Sequence, residues 1–570
     1  MRRPILLFCI LMVVGSVSWA RNAQQVLPLS SFVYESMDAL YLITGNGTPS
    51  NARPWTKAEA SLIFSRLDSS VLSGSARSLY RIVEETIGGP LRFSYSDGFQ
   101  FDASADVSGE LYAHTNGARF KTDRDWVRGF EDRVPLLRFN FSFLLKDFLY
   151  IFTDLQYGRN RFTERDTFAT VGKGTSTHIG SILDDESPHP AMIVGEGDTS
   201  WAYSQGFLTN VLWPTRDLDF QTPKRAVASF GGENWNFNLS RDRMKWGNGH
   251  SGNFIIGDHV DYQEYSRFTA YSEHFKYDWV NVFFETNPTP NETVAQDTEF
   301  RILMAHRLEF RILDIITFAL SENIMYRGDV YNFRFLNPAF VYHNLNTTSM
   351  FNAIAHAELD IAFAKGFNAY AQYVLDQAGA PNDTSDQADA FGWLAGVEHA
   401  MSSGPGVLST SIEYAQTNPA LYRRYTADFL MFRRYATNGV GFVSHIDWIG
   451  YQHGPDAQVA QLEFSYRIPK WGSFSLTLVG MRHGEIDWHT LNTTVNATRV
   501  PSPSGDRITE TGVVSFAAEV SIPEAAFSWA SVSWWAQLDL VGRQTFVKSS
   551  GIREDKTGDV QFTTGVMCSF

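Results

Sequence analysis

The stretch Val514-Ser515-Phe516-Ala517-Ala518-Glu519-Val520-Ser521-Ile522 decides the fold. Val514, Phe516, Ala518, Val520 and Ile522 form one face, and Ser515, Ala517, Glu519 and Ser521 the other. The same alternation continues through 527–541. There Ala530, Val532, Trp534, Ala536, Leu538 and Leu540 oppose Ser531, Ser533, Trp535, Gln537 and Asp539. The chain then closes on Val560, Phe562, Val566, Cys568 and Phe570. A period of two means strands with one apolar and one polar face. A soluble sandwich would turn the apolar face inward. Long strands with aromatics near their ends instead suit an all-β transmembrane barrel whose apolar face meets lipid.

Working back from that end, segments 134–145 and 148–157 form a hairpin across Lys146-Asp147, with Leu137, Phe139, Phe141, Phe143 and Leu145 on one face and Arg138, Asn140 and Ser142 on the other. Further hairpins fall near 299–326, 353–376, 391–416 and 457–482. In the last of these, Ala460, Leu462, Phe464, Tyr466 and Ile468 point outward, and Gln461, Glu463, Ser465 and Arg467 inward. Such segments number roughly 16–18 antiparallel strands, a size that can hold a lumen. Polar stretches at 159–200, 287–297, 378–389 and 487–508 read as long external loops, with the short turns on the periplasmic side.

The first ninety residues do not alternate. Residues 1–20 carry Arg2 and Arg3, then an apolar run over 4–14, then Ser18-Trp19-Ala20, which predicts a signal peptide cut after Ala20, or alternatively after Ala23. Residues 21–90 predict a small periplasmic helical region. Val33, Met37, Leu40 and Tyr41 share one helical face, Thr56 and Glu59 form a capping box, and Leu79, Ile82, Val83 and Ile87 line a third helix stopped by Gly88. That region is either a plug or docking platform, or a cover for the apolar rim of the barrel. The barrel itself occupies 91–570.

Composition agrees. A mean hydropathy of −0.20 is too polar for a bundle of membrane helices. The net charge is −15, and loss of Arg2 and Arg3 takes it to about −17, which argues against nucleic acid as a partner. Of two cysteines, Cys9 leaves with the signal and Cys568 stands alone, so no intrachain disulfide or cysteine metal site is expected, and no cofactor.

One segment breaks the alternation: Arg241-Asp242-Arg243-Met244-Lys245-Trp246-Gly247-Asn248-Gly249-His250-Ser251-Gly252-Asn253-Phe254-Ile255-Ile256. Three glycines in six positions imply tight turns or close approach of another group. This stretch resembles the Arg–x–Trp-Gly-Pro-Gly–Leu-x-Leu-Ser-Asn segment of the Wzi-type capsule-assembly outer-membrane proteins, with Asn248 in place of the proline. Ile412-Glu413-Tyr414-Ala415-Gln416-Thr417 is similar to that family's Glu-Tyr-x-x-Thr strand. Gly450-Tyr451-Gln452-His453-Gly454-Pro455-Asp456 is similar to its late turn. Asp38, Leu40, Gly45 and Pro54-Trp55 resemble its start, and a C-terminal strand ending in Phe570 resembles the closing strand of bacterial outer-membrane barrels. The resemblance implies a non-catalytic outer-membrane lectin, in contact with lipid, that holds or organises surface polysaccharide and is inserted by the barrel-assembly machinery through its last strand. The glycan-binding residues it implies are Arg241, Trp246, Gly247, Gly249, Asn253, Glu413, Tyr414, Tyr451 and Asp456.

The residues permit this chemistry on their own terms. Sugars bind by stacking on aromatic faces and by polar networks. Trp246, Tyr262, Tyr265, Tyr422, Tyr425 and Tyr451 sit near predicted loops or strand ends, where they are either sugar contacts or interfacial girdle. Inward charges (Arg138, Arg307, Glu309, Arg311, Glu358, Asp360, Glu413, Glu463, Arg467, Glu519, Asp539) either pair across strands or form the selectivity field of a porin, the alternative function. His250, Ser251, Asp258, His259 and Asp261 cluster in sequence, yet adjacent strand residues face opposite ways and no metal or nucleophile motif is present there, so no enzyme is expected.

Overall fold

The computed structural model describes residues 22–570 apart from 160–168, 172–190, 194–200, 212–217, 220–222, 285–299, 329–336, 343–350, 378–387, 438–440, 523–529 and isolated positions. The signal-peptide reading, Tyr425, and most of the external loops expected at 159–200, 287–297 and 378–389 lie outside the described residues.

Strand after strand pairs antiparallel with its neighbour until the last meets the first, a closed barrel of 18 strands. In chain order these are β1 (Phe99–His114), β2 (Leu137–Leu145), β3 (Leu149–Arg159), β4 (Ala226–Gly231), β5 (Trp235–Asp242) and β6 (Gln263–Tyr271). There follow β7 (Phe275–Phe283), β8 (Phe300–Ile312), β9 (Ile316–Gly328), β10 (Phe351–Ala364), β11 (Phe367–Gln377) and β12 (Ala390–Ser403). The wall is completed by β13 (Gly406–Thr417), β14 (Ala457–Ile468), β15 (Gly472–His483), β16 (Arg507–Ile522), β17 (Ser531–Val547) and β18 (Ile552–Ser569). Closure runs through β18 and β1, where Phe562 faces Ala113 and Ser569 faces Asp106. A closed ladder satisfies every strand's backbone groups without water, which lipid demands.

The faces are those the alternation predicts. Phe516, Leu538 and Phe562 are 47%, 39% and 39% exposed, whereas Asp539 and Gln561 beside them are buried. Apolar residues are thus on the outside and polar ones within, the reverse of a soluble core. Among the described residues no helix is long and apolar enough to cross a membrane.

Three helices, α1 (Val33–Thr44), α2 (Lys57–Ser65) and α3 (Gly74–Gly88), lie at the end of the short turns, where α1 and α3 pack against the β11–β13 part of the wall. Val33, Met37, Leu40 and Tyr41 bury together with Ile63, Leu79 and Val83, and the cluster extends to Ala400 and Val407 of the wall. Gly45 ends α1 at φ +88°, returning its N–H to the carbonyls of Tyr41 and Leu42. The capping box forms by half. Thr56 accepts from the Glu59 N–H, but the Glu59 carboxylate turns away to Lys276 of β7. Short turns hold the plug from below: Gly366 N–H donates to Leu42 O (2.8 Å) and Gly47 N–H to Asp314 O (2.7 Å).

Between α1 and α2 the chain leaves the rim and enters the lumen, which helical periodicity did not foretell. The inward charges of the wall receive it. Asp360 accepts from Thr48 Oγ1 (2.9 Å) and Asn51 Nδ2 (3.1 Å), and Glu309 from Ser50 Oγ (3.1 Å). Arg267, held by Asp278 at 2.7 Å, donates to the carbonyls of Pro54 (2.6 Å) and Ala52 (3.3 Å). Arg307 bridges Glu309 and Glu358 at 2.5 and 2.9 Å. For Arg307, Glu309, Glu358 and Asp360, cross-strand pairing and anchoring of the plug together account for the charges. Buried charges persist where each is both paired and hydrogen-bonded.

Candidate functional site: a strap across the lumen

The segment 241–256, which breaks the alternation, runs from the end of β5 into the connection to β6 and folds down into the barrel. Lys245–Trp246 pairs antiparallel with Ala52–Arg53 of the plug segment, so the two meet inside the lumen. Gly247 N–H donates to Asn51 O (3.2 Å) and Trp246 N–H to Ile256 O (3.0 Å). From above, the 418–456 connection packs on the strap: Gly257 N–H donates to Ile449 O (2.8 Å) and Tyr422 Oη to Phe254 O (2.7 Å). Trp246, Phe254, Ile255, Ile256, Tyr422, Trp448 and Tyr451 share one apolar cluster.

Glycines make the strap possible. Gly247 sits at φ +123°, and a Cβ there would fall 2.2 Å from Asn253 Oδ1. Gly252 sits at φ +137°, with a Cβ 2.9 Å from the Tyr451 ring. Both are left-handed positions that only glycine occupies without strain. The bend is then stapled to the wall. Glu413 of β13 accepts from the backbone N–H groups of His250 and Ser251, each at 2.8 Å, and from the Ser251 hydroxyl. Ser251 Oγ also meets Tyr451 Oη at 2.9 Å. Asn253 Oδ1 accepts from Gly249 N–H (3.0 Å) and lies 2.8 Å from the Gln372 carboxamide of β11. His250 lies between Glu463 (3.2 Å) and Glu398 (3.4 Å).

Of the nine residues singled out from sequence, the structure brings Trp246, Gly247, Gly249, Asn253, Glu413 and Tyr451 together in this staple. As placed, Trp246 is fully buried and has no free face for a sugar. Tyr414 does not join them. It is the next residue along the strand from Glu413, so it points to the outer wall, exposed beside Trp393 at 5.4 Å between ring centroids. Asp456 is buried nearer the outer end, at φ +58°, where it accepts from Ser504 N–H (2.7 Å) and Ser502 Oγ (2.9 Å) and ties two connections together. Arg241 alone is half exposed: it is paired with Glu264, and its guanidinium lies 4.6 Å from the Tyr262 ring at the outer mouth.

Sequence reasoning missed Gln372, Arg267, Lys276 and the 418–456 cover. Each sits at an ordinary inward or loop position, with no local pattern to mark it. Ser251, weighed as a nucleophile, is a hydrogen-bonding residue of the staple.

Fold and site together define a class: an outer-membrane-type β-barrel whose lumen is spanned by its own chain. No protein-family model matches the sequence, and no curated protein matches it. Among solved structures, the chain is similar in fold to Wzi, an outer-membrane protein involved in group 1 capsule assembly in Escherichia coli and described as a carbohydrate-binding β-barrel. That overlap has a TM-score of 0.54 at 10% identity, over 95% of this chain and 99% of the other. OprD of Pseudomonas aeruginosa overlaps at TM-score 0.39 and 6% identity, over 84% of this chain and 99% of that one. OccAB4 of Acinetobacter baumannii overlaps at 0.37 and 8%, over 83% and 98%. The last two overlaps are too loose to argue from.

Proposed function

We propose that this chain is a non-catalytic outer-membrane lectin that holds surface polysaccharide and helps organise a capsule. The observation that carries the reading is the stapled strap: a solute channel would have to leave open the space that 45–56 and 243–257 fill. The likeness of fold to a carbohydrate-binding barrel points the same way. In this reading the glycan meets the outer mouth, where the half-exposed Arg241 and Glu264 offer a guanidinium and a carboxylate. Export by the 1–20 segment and insertion by the barrel-assembly machinery through the strand ending in Phe570 belong to the same proposal.

The test is retention of the producing cell's purified surface polysaccharide by the detergent-solubilised protein. Retention should fall on Arg241→Ala with the fold intact. A wild-type protein that retains no glycan but conducts steadily in a planar bilayer would replace the lectin reading with the porin one.

A further inference from the structure

The plug and strap fill the lumen unevenly. Along β6 to β11 the inward residues are buried, Asp278, Arg307, Asp360 and Asn368 among them. Along β15 to β17 the inward residues Ser475, Thr477, Ser515, Ser533 and Gln537 are half-exposed and Glu519 is exposed, so this wall faces water. Above it the 115–136 connection folds in, with Val127 N–H on Gln561 Oε1 (2.9 Å) and Asp125 on Arg543 (2.9 Å). The wet wall is therefore covered from the outer end and faces the short-turn half of the lumen.

One inward row crosses this wall in register: Ser473, Glu519, Trp535, Gly565 and Glu110. Trp535 is a large aromatic in a lumen face otherwise built of small polar residues. Its indole lies across Gly565, where a Cβ would come within 2.2 Å of Cζ2 and 2.5 Å of Cε2. The missing side chain lets the ring rest against the wall. Its Nε1–H is fixed by Glu110 Oε2 at 2.8 Å. Glu110 is itself held by Tyr112 Oη (2.5 Å) and Val134 N–H (3.0 Å). The ring is thus clamped at its edge and backed by glycine. Glu519, one strand over, has no side-chain partner among the described residues, and Gln537 lies two residues along the same strand.

We infer that Trp535, backed by Gly565 and flanked by Glu519 and Gln537, is a second carbohydrate subsite inside the barrel, taking one pyranose ring of a short saccharide or chain end from the short-turn side. The inference rests on the lectin reading and places a contact that reading does not. A rigid indole in a wet cavity supplies a flat apolar face for sugar C–H groups, while the Glu519 carboxylate and the Gln537 carbonyl, whose NH2 is held by Asp539 at 3.0 Å, supply hydroxyl partners. Glu110 is buried and paired with Arg128 (3.4 Å), so the exposed Glu519 carboxylate is the charge that favours neutral or amino sugars over uronates.

The experiment uses the full chain in detergent micelles, with short fragments from partial acid hydrolysis of the producing cell's purified surface polysaccharide. Saturation-transfer NMR is titrated to give an affinity. Trp535→Ala should weaken fragment binding about tenfold, while Trp535→Phe, which keeps an aromatic face, should stay within about threefold. Both should keep the folded-form gel mobility and the retention of intact polysaccharide. Equal fragment affinity of wild type and Trp535→Ala overturns the subsite. Wild type that retains intact polymer but binds no fragment also overturns it and leaves the lectin reading standing. Wild type that binds neither overturns both.

Discussion

Replacing Glu413 by alanine should free the strap without opening the wall. The carboxylate is 2% exposed and accepts three hydrogen bonds, from the N–H groups of His250 and Ser251 and from the Ser251 hydroxyl. A hydrogen bond to a charged group contributes about 1.5–3 kcal/mol, and neighbours sharing one acceptor do not add fully. The alanine variant should therefore lose about 4 kcal/mol of local stability at the bend, which is an acceleration of amide exchange of about a thousandfold. Hydrogen exchange read by mass spectrometry on peptides covering 246–254 measures this directly. Wild type should be protected, and Glu413→Gln, which keeps one neutral acceptor, should fall between. If the His250 and Ser251 amides exchange equally slowly in Glu413→Ala and wild type, with the barrel folded in both, the staple does not hold the strap and the reasoning fails.

Arg267→Ala leaves Asp278 buried with only the Thr269 hydroxyl (2.8 Å) and Lys276 at 3.6 Å for partners, and removes two donors to the plug backbone. It should destabilise plug docking by about 3–5 kcal/mol and expose 22–90 to limited proteolysis; a wild-type digestion pattern would contradict this. Tyr414→Ala, on the lipid face, should leave polysaccharide retention unchanged; a loss would move the site to the outer wall. Lys57 of α2 is buried against Gly89 O (2.9 Å), and desolvation pushes its ammonium down to about 8. A lysine whose folded pKa is lowered contributes stability at high pH that is lost as pH falls through that value. Plug docking should therefore be stronger at pH 10 than at pH 7 by up to about 3 kcal/mol. The rise in melting temperature between these pH values should shrink in Lys57→Met, and an identical rise in the variant would refute the assignment.

The wall was legible because alternation is a local property. Phe516, Leu538 and Phe562 announce a lipid-facing side, and hairpins expected at 353–376 and 457–482 differ by only a few residues from β10–β11 and β14–β15. The helices were legible from Val33, Met37, Leu40 and Tyr41 for the same reason. What fills the lumen was not. The pairing of Ala52–Arg53 with Lys245–Trp246 joins residues nearly two hundred positions apart, and no periodicity encodes it. The glycines of 247–252 did signal tight turns or close approach of another group. Asn253, Gln372 and Tyr451 of the protein itself are what approach Gly247 and Gly252, and no local pattern names them. Trp535 was visible on the polar face of its strand, but only the register with Gly565 and Glu110 gives it a backing and a clamp.

All of this depends on the barrel being occupied by its own chain. The most direct measurement is electrical: purified full-length protein inserted into a planar bilayer, with insertion verified by protease protection of the strands. The membrane should stay silent, because the strap, the plug segment and the folded-in connections span the lumen. Steady single-channel steps from the wild-type protein would contradict the account.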